Sequence, residues 1–247
     1  MTDQLGHRAV LGVLAPSTNT VVEPDYYRMA PDGVTAHVAR IHIRDQSLDS
    51  NENFEALLVQ VREEIDAALA RVLTCEPDGV VMGMSAETFW GGIEGSRDFQ
   101  TRMESAADRP VFAGASASDQ ALRLYGARKI AVVTPYQPIA DENVRRFFTE
   151  SGYDVVSLTG LRCPDAVSIA RYPTADLRRT LDDINSPDVD AIVQVGTNLS
   201  MVRLADEAER WLAKPVIAIN AATWWSALRG MGIDDKVEGA GDLLRHH

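Results

Sequence analysis

The sequence predicts an α/β protein of two similar halves, each a mainly parallel four-stranded sheet flanked by helices. Three observations lead there. Short apolar runs alternate with amphipathic segments along the whole chain, the pattern of strands joined by crossover helices. The alternation starts again after Gly126. Short segments also recur in the same order at a slowly drifting spacing, as an internal duplication with small insertions requires.

The first apolar run, residues 9–15, ends at Pro16 and the polar stretch 17–20. A second strand is expected over 34–43, where Val38, Ile41 and Ile43 mix with His37 and His42. Residues 53–73 predict a long helix, with Phe54, Leu57, Leu58, Val61, Ile65, Leu69 and Val72 at three- and four-residue spacing. Pro77 and Asp78 break it before a buried strand at 79–84, a short strand at 110–113 and a helix at 118–125. In the second half, strands are expected at 129–134, 154–161, 191–195 and 216–219. Helices are expected at 139–152, 174–185, 200–212 and 223–232.

The repeat is visible residue by residue. Leu14-Ala15-Pro16 matches Val133-Thr134-Pro135, and Asp78-Gly79-Val80-Val81 matches Asp190-Ala191-Ile192-Val193. Arg109-Pro110-Val111 matches Lys214-Pro215-Val216, and Ala121-Leu122-Arg123 matches Ala227-Leu228-Arg229. The offsets are 119, 112, 105 and 106 residues. On this reading residues 1–115 with 220–247 make one half, and 116–219 the other.

The net charge of -12 disfavours nucleic acid and anionic membranes as partners, since both attract positive charge. It leaves a small anion open as a ligand, because local dipoles outweigh a distant net charge. The two cysteines, Cys75 and Cys163, lack metal or disulfide spacing and fit a reducing compartment. The opening MTDQLGHRAV lacks a secretory pattern, and no apolar run approaches a bilayer span. A cytoplasmic protein is expected. His246 and His247 carry no functional argument.

Ligands of open parallel sheets bind beyond the carboxyl ends of the strands. The segments expected there are Pro16-Ser17-Thr18-Asn19-Thr20, Ser85-Ala86-Glu87-Thr88, Pro135-Tyr136 and Gly196-Thr197-Asn198. Each brings hydroxyl, amide or glycine groups to a helix start, where backbone N–H groups favour anions. One such loop is equally an ordinary N-cap. Four at corresponding strand ends point to a shared site for a small carboxylate, with Pro16, Ser17, Asn19, Ala86, Thr88, Gly196, Thr197 and Asn198 as its binding residues.

These segments resemble the aspartate/glutamate racemase superfamily, and within it the maleate isomerase and arylmalonate decarboxylase branch. The resemblance is carried by residues 12–19, 132–136, 196–199 and 239–245. It implies two Rossmann-like halves, no cofactor, no metal, and chemistry at the carbon beside a carboxylate by an isomerase or lyase. It implies that Asn19 and Tyr136 hold that carboxylate and that residues 85–87 bind an oxyanion. It also implies association into a homo-oligomer. The resemblance implies a thiol after the third strand of each half in the racemases, one thiol acting as nucleophile in the maleate isomerases, and only the second-half thiol, as proton donor, in the arylmalonate decarboxylases. Here those positions fall at or near Ser85 and Gly196, so the usual thiol chemistry is not expected.

Catalytic candidates in their place are Glu87, Ser85 and Tyr136. Glu87 stands in an apolar stretch that raises a carboxyl pKa towards acid–base duty, though a charge at a helix start reads equally well. Asp165 is a second carboxylate candidate, and Cys163 and His42 are further alternatives. Phe89, Trp90, Trp224 and Trp225 are candidates for an apolar pocket wall. Gly83-Met84-Ser85-Ala86-Glu87 lacks the second glycine of a hydrolase nucleophile elbow. No Gly-rich phosphate loop follows the first strand. The leading expectation is an isomerase or lyase; the alternative is a carboxylate-binding or regulatory protein that kept the cleft without the chemistry.

Overall fold

The computed structural model describes residues 3–247. The first half runs β1 (Ala9–Pro16), α1 (Val22–Met29), β2 (Val34–Ile41), α2 (Asn51–Leu73), β3 (Gly79–Met82), α3 (Ala86–Phe89), α4 (Gly92–Ala107), β4 (Val111–Phe112) and α5 (Gly114–Leu124). The chain continues with β5 (Lys129–Thr134), α6 (Pro138–Glu150), β6 (Asp154–Gly160), a 3-10 turn (Ser168–Arg171), α7 (Thr174–Ile184), β7 (Ala191–Gln194), α8 (Val202–Leu212), β8 (Val216–Ala218), α9 (Ile219–Gly230) and α10 (Asp242–His246).

The two sheets have the same order, β2-β1-β3-β4 and β6-β5-β7-β8. Every pairing is parallel. The order in which strands are added therefore switches sides between β1 and β3 in one sheet and between β5 and β7 in the other, which makes a crevice at each switch point. Both central third strands, β3 and β7, are buried along their full length, as expected of a sheet covered on both faces.

The repeat read from the sequence coincides with this symmetry. Its four matches fall on β1 and β5, β3 and β7, β4 and β8, and α5 and α9. Asp78 and Asp190 play the same part in each half. The Asp78 carboxylate accepts the Val10 N–H at 2.8 Å, and the Asp190 carboxylate accepts those of Arg128 and Lys129, both at 2.8 Å. Each aspartate thus clasps the start of a central strand. From the end of the second sheet, α9 packs against β3 and β4 of the first as well as β8, so the halves share one layer.

The long helix predicted from residue 53 starts at Asn51, because the Ser50 hydroxyl accepts the Asn53 N–H and caps it. Helix α5 starts at Gly114, upstream of the predicted 118, through small residues that carry no periodic signal. Two longer helices were not predicted. In α1, Pro24 sits in the first turn, where a missing N–H costs nothing. In α4, the apolar stripe is thin (Phe99, Met103 and Ala107), and glycines that read as breakers occupy its first turn. Gly95 belongs there because the Trp90 carbonyl lies closer than any Cβ allows. Among the described residues no helix is long and apolar enough to cross a membrane.

Backbone N–H bonds hold the Asp190 carboxyl below its ordinary value of 3.8. A lowered folded value means stability that is complete above the ordinary range and lost as pH falls through the folded value. Asp190→Ala is expected to lower unfolding free energy by about 1 kcal/mol at pH 7. In urea titrations the difference from wild type should shrink below about pH 3.5.

Candidate active site

The four strand ends meet in one cavity of about 570 Å³, mouth included. Its floor carries Pro16, Thr18, Asn19, Ser85, Ala86, Tyr136, Gly196, Thr197 and Asn198. The β1 and β3 ends supply the first five, and the β5 and β7 ends the rest. Ser85 and Tyr136, one from each half, share a buried hydrogen bond of 2.7 Å between their hydroxyls. The Thr197 N–H donates to Ser85 Oγ at 3.2 Å. The Thr197 hydroxyl donates to the Gly83 carbonyl at 3.1 Å and accepts from Asn19 Nδ2 at 3.1 Å.

Two hydroxyl protons serve Ser85 and Tyr136, and only one lies between them, so the second is free for a ligand. Asn19 likewise has a second N–H beyond the one given to Thr197. Burial pushes the Tyr136 phenol well above its usual range, against the smaller opposing effect of Ser85. Tyr136 is therefore a neutral donor across ordinary pH.

Each loop is held by its own side chains. Asn19 Oδ1 accepts the Val21 and Val22 N–H groups and caps α1. Asn198 Oδ1 accepts the Thr20 N–H at 3.0 Å, and its Nδ2 donates to the Ala166 carbonyl at 2.8 Å. Both Asn198 side-chain groups thus stitch loops together. Asn220 Nδ2, from α9, donates to the Thr197 carbonyl and to Asp25.

The walls are apolar: Ile43, Leu48, Phe54, Leu57, Leu58, Val61, Met84, Ala166 and Ile169. They come from the β2–α2 loop, the α2 stripe and the segment after β6, with Met84 from the end of β3. Leu48 N–H donates to the Pro164 carbonyl, and Ala166 N–H to the Gln46 carbonyl, so loops of opposite halves join over the site. The sequence reads Phe54, Leu57, Leu58 and Val61 only as the apolar stripe of a long helix, which does not reveal these walls. Their signal was the stripe itself, which continues up to the strand-end level, but nothing local distinguishes a wall from a core.

Several candidates stand elsewhere. Glu87 is turned away from the cavity into a two-bond ion pair with Arg62, at 2.7 and 3.0 Å. Burial raises its pKa and Arg62 opposes the rise. Its neighbourhood is a surface depression lined by Arg62, Trp90 and Arg102. Ser17 and Thr88 do not line the cavity. Ser17 Oγ accepts the Ile43 N–H, and the Thr88 hydroxyl caps back onto the Ser85 carbonyl. Asp165 caps the turn at Val167 and Ser168. His37 and His42 are exposed.

Phe89 and Trp224 are fully buried in the core, and none of the four predicted wall aromatics lines the cavity. Cys163 is buried, and burial raises its thiol to about 11, so it is not a ready nucleophile. Cys75 is exposed just past the C-terminal end of α2. Among the described residues no cysteine lines the cavity, and no group of His, Cys, Asp and Glu is placed to hold a metal ion.

Comparison with known proteins gives a consistent result. The family model described as arylmalonate decarboxylase matches residues 11–244. A maleate isomerase of Pseudomonas putida is 26% identical, over 95% of this chain and 96% of its own. An arylmalonate decarboxylase of Bordetella bronchiseptica is 27% identical, over 73% and 75%. The solved structure of a Nocardia farcinica maleate cis-trans isomerase mutant, with a covalently bound succinylcysteine intermediate, superposes with a TM-score of 0.86. It is 22% identical and covers 96% of this chain and 98% of its own; at that identity the likeness shows the fold.

The Glu87 placement yields a direct check. Glu87→Gln is expected to cost about 1 kcal/mol of stability through the weakened Arg62 pair, measured by thermal or urea unfolding. Affinity for a small carboxylate, measured by calorimetry, should stay within about twofold of wild type, because neither Glu87 nor Arg62 lines the cavity.

Proposed function

The chain belongs to the arylmalonate decarboxylase family, and on that premise we propose that it is a cofactor-independent isomerase or lyase. It acts at the carbon next to a carboxylate of a small mono- or dicarboxylic acid. Of the two chemistries the cavity favours the lyase, with one carboxyl of a malonate-type acid lost as carbon dioxide. The observation that carries this reading is the Ser85–Tyr136 hydroxyl pair on the floor of an apolar cavity without a thiol.

In this reading one carboxylate accepts hydrogen bonds from Ser85, Tyr136 and the spare N–H of Asn19. The other sits among Leu48, Phe54, Leu58 and Ile169, where a charge has no partner and its burial is costly. Cleavage of the carbon–carbon bond sends its electron pair into the retained carboxyl, which becomes an enediolate, and the departing group leaves as neutral carbon dioxide. The hydroxyls already aim at the oxygens where negative charge grows, the most effective form of electrostatic catalysis. The α-carbon then takes a proton from the hydroxyl pair, and water at the cavity mouth replaces it.

The Nocardia isomerase structure holds a succinyl group on a cysteine. Addition of a thiolate to a double bond has no counterpart among the cavity residues here, which favours the lyase over the isomerase.

The test is incubation with a 2-aryl- or 2-alkylmalonate, and separately with maleate, in deuterium oxide, followed by NMR. Loss of carbon dioxide with one deuterium at the α-carbon is the expected result. Tyr136→Phe and Ser85→Ala should each lower kcat by about 10²–10³-fold. Fumarate from maleate with malonates untouched would make the protein an isomerase. Tight binding with neither turnover nor exchange would make it a carboxylate-binding protein.

A further inference from the structure

Each half holds its ligand-facing loop with an arginine, and the two arrangements correspond. In the first half Arg40, near the end of β2, donates to the Asn19 carbonyl at 2.7 Å and to the Glu23 carboxylate. In the second half Arg162, just past β6, donates to the Tyr136 carbonyl and to the Asp141 carboxylate. Asn19 and Tyr136 follow the equivalent strands β1 and β5, and Glu23 and Asp141 lie in the first turns of the helices that follow, α1 and α6. The offsets between partners are 117, 118 and 122 residues, close to the 119 that separates the strand ends themselves.

We propose that Arg40 and Arg162 are a duplicated pair of positioning residues, which set Asn19 and Tyr136 against the substrate carboxylate. The proposal rests on the function given above and adds what places its two donors.

Neither arginine lines the cavity, and each charge is balanced by its own carboxylate, so neither acts on the substrate as a cation. Each guanidinium spans a carbonyl and a carboxylate at once, a planar, multi-donor task that suits arginine over lysine. The loop backbone is thereby tied on one side to the first turn of the next helix, while the Asn19 amide and the Tyr136 hydroxyl stay at the cavity. In the second half the arrangement takes two local concessions. Arg162 adopts a left-handed backbone with φ +55°, a conformation that persists only where contacts hold it. Residue 160 is glycine, because a Cβ there would collide with the Arg162 guanidinium and the Asp141 carboxylate.

The experiment combines Arg40→Met and Arg162→Met with Tyr136→Phe, reading kcat and KM on the malonate substrate. Arg162→Met should lower kcat about 10–100-fold with KM within about threefold. In the Tyr136→Phe background the same change should cost less than about threefold, since the hydroxyl it places is gone. Arg40→Met should remain additive with Tyr136→Phe, and added methylguanidinium should restore Arg162→Ala at least about fivefold. Full additivity of Arg162→Met with Tyr136→Phe, or wild-type rates in both arginine variants, overturns the proposal.

A wild-type protein that neither turns over nor exchanges refutes the function and leaves these loops to a second measurement. Amide exchange should then quicken at Val21 and Val22 in Arg40→Met, and at Ala140 and Asp141 in Arg162→Met. Unchanged protection overturns the positioning role.

Discussion

The hydrogen bond between the Ser85 and Tyr136 hydroxyls joins the two halves at the point where the strand order of both sheets switches sides. Buried hydroxyls are costly unless partnered, and without a ligand these two partner each other. A carboxylate at the same place lets both donate outward, so the pair is satisfied in either state. That property allows an otherwise apolar cavity to keep a polar floor. It also fixes the distance between the halves, because the bond forms only when the β3 and β5 ends stand at hydrogen-bond reach.

Around this contact the structure is built to keep loops still. Asn19 and Asn198 spend most of their hydrogen-bonding capacity on helix caps and neighbouring loops. Asn220 fixes the Thr197 carbonyl from the helix that bridges the sheets. The site is therefore an outcome of duplication: two copies of one strand-end device face each other across one cavity. Precise placement of donors is what electrostatic catalysis demands, since donors that must reorient lose their advantage.

Much of the architecture was legible because it rests on local patterns. Short apolar runs mark β1, β3, β5 and β7, and the repeated Asp and Pro signals mark the duplication. Helix α4 was not legible, since its glycines are required by a close backbone approach at Trp90 that only the folded chain creates. At the site, the strand-end loops were foreseen together with Ser85 and Tyr136 at their meeting point. Glu87 was foreseen as an acid in an apolar setting, but the sequence carries no sign that Arg62, 25 residues earlier in α2, would turn it outward. The apolar walls escaped for a related reason: Phe54, Leu57, Leu58 and Val61 form one helical stripe, and whether a stripe meets core or cavity is decided by loops from the other half.

The proposed lyase chemistry turns on where a carboxylate rests. A crystal structure with a non-reactive arylacetate tests this most directly. The account predicts both carboxylate oxygens within about 3 Å of Ser85 Oγ and the Tyr136 hydroxyl, with the ring against Leu48, Phe54 and Ile169. A carboxylate bound instead at Arg62 and Arg102, with the Ser85–Tyr136 bond intact, would contradict it.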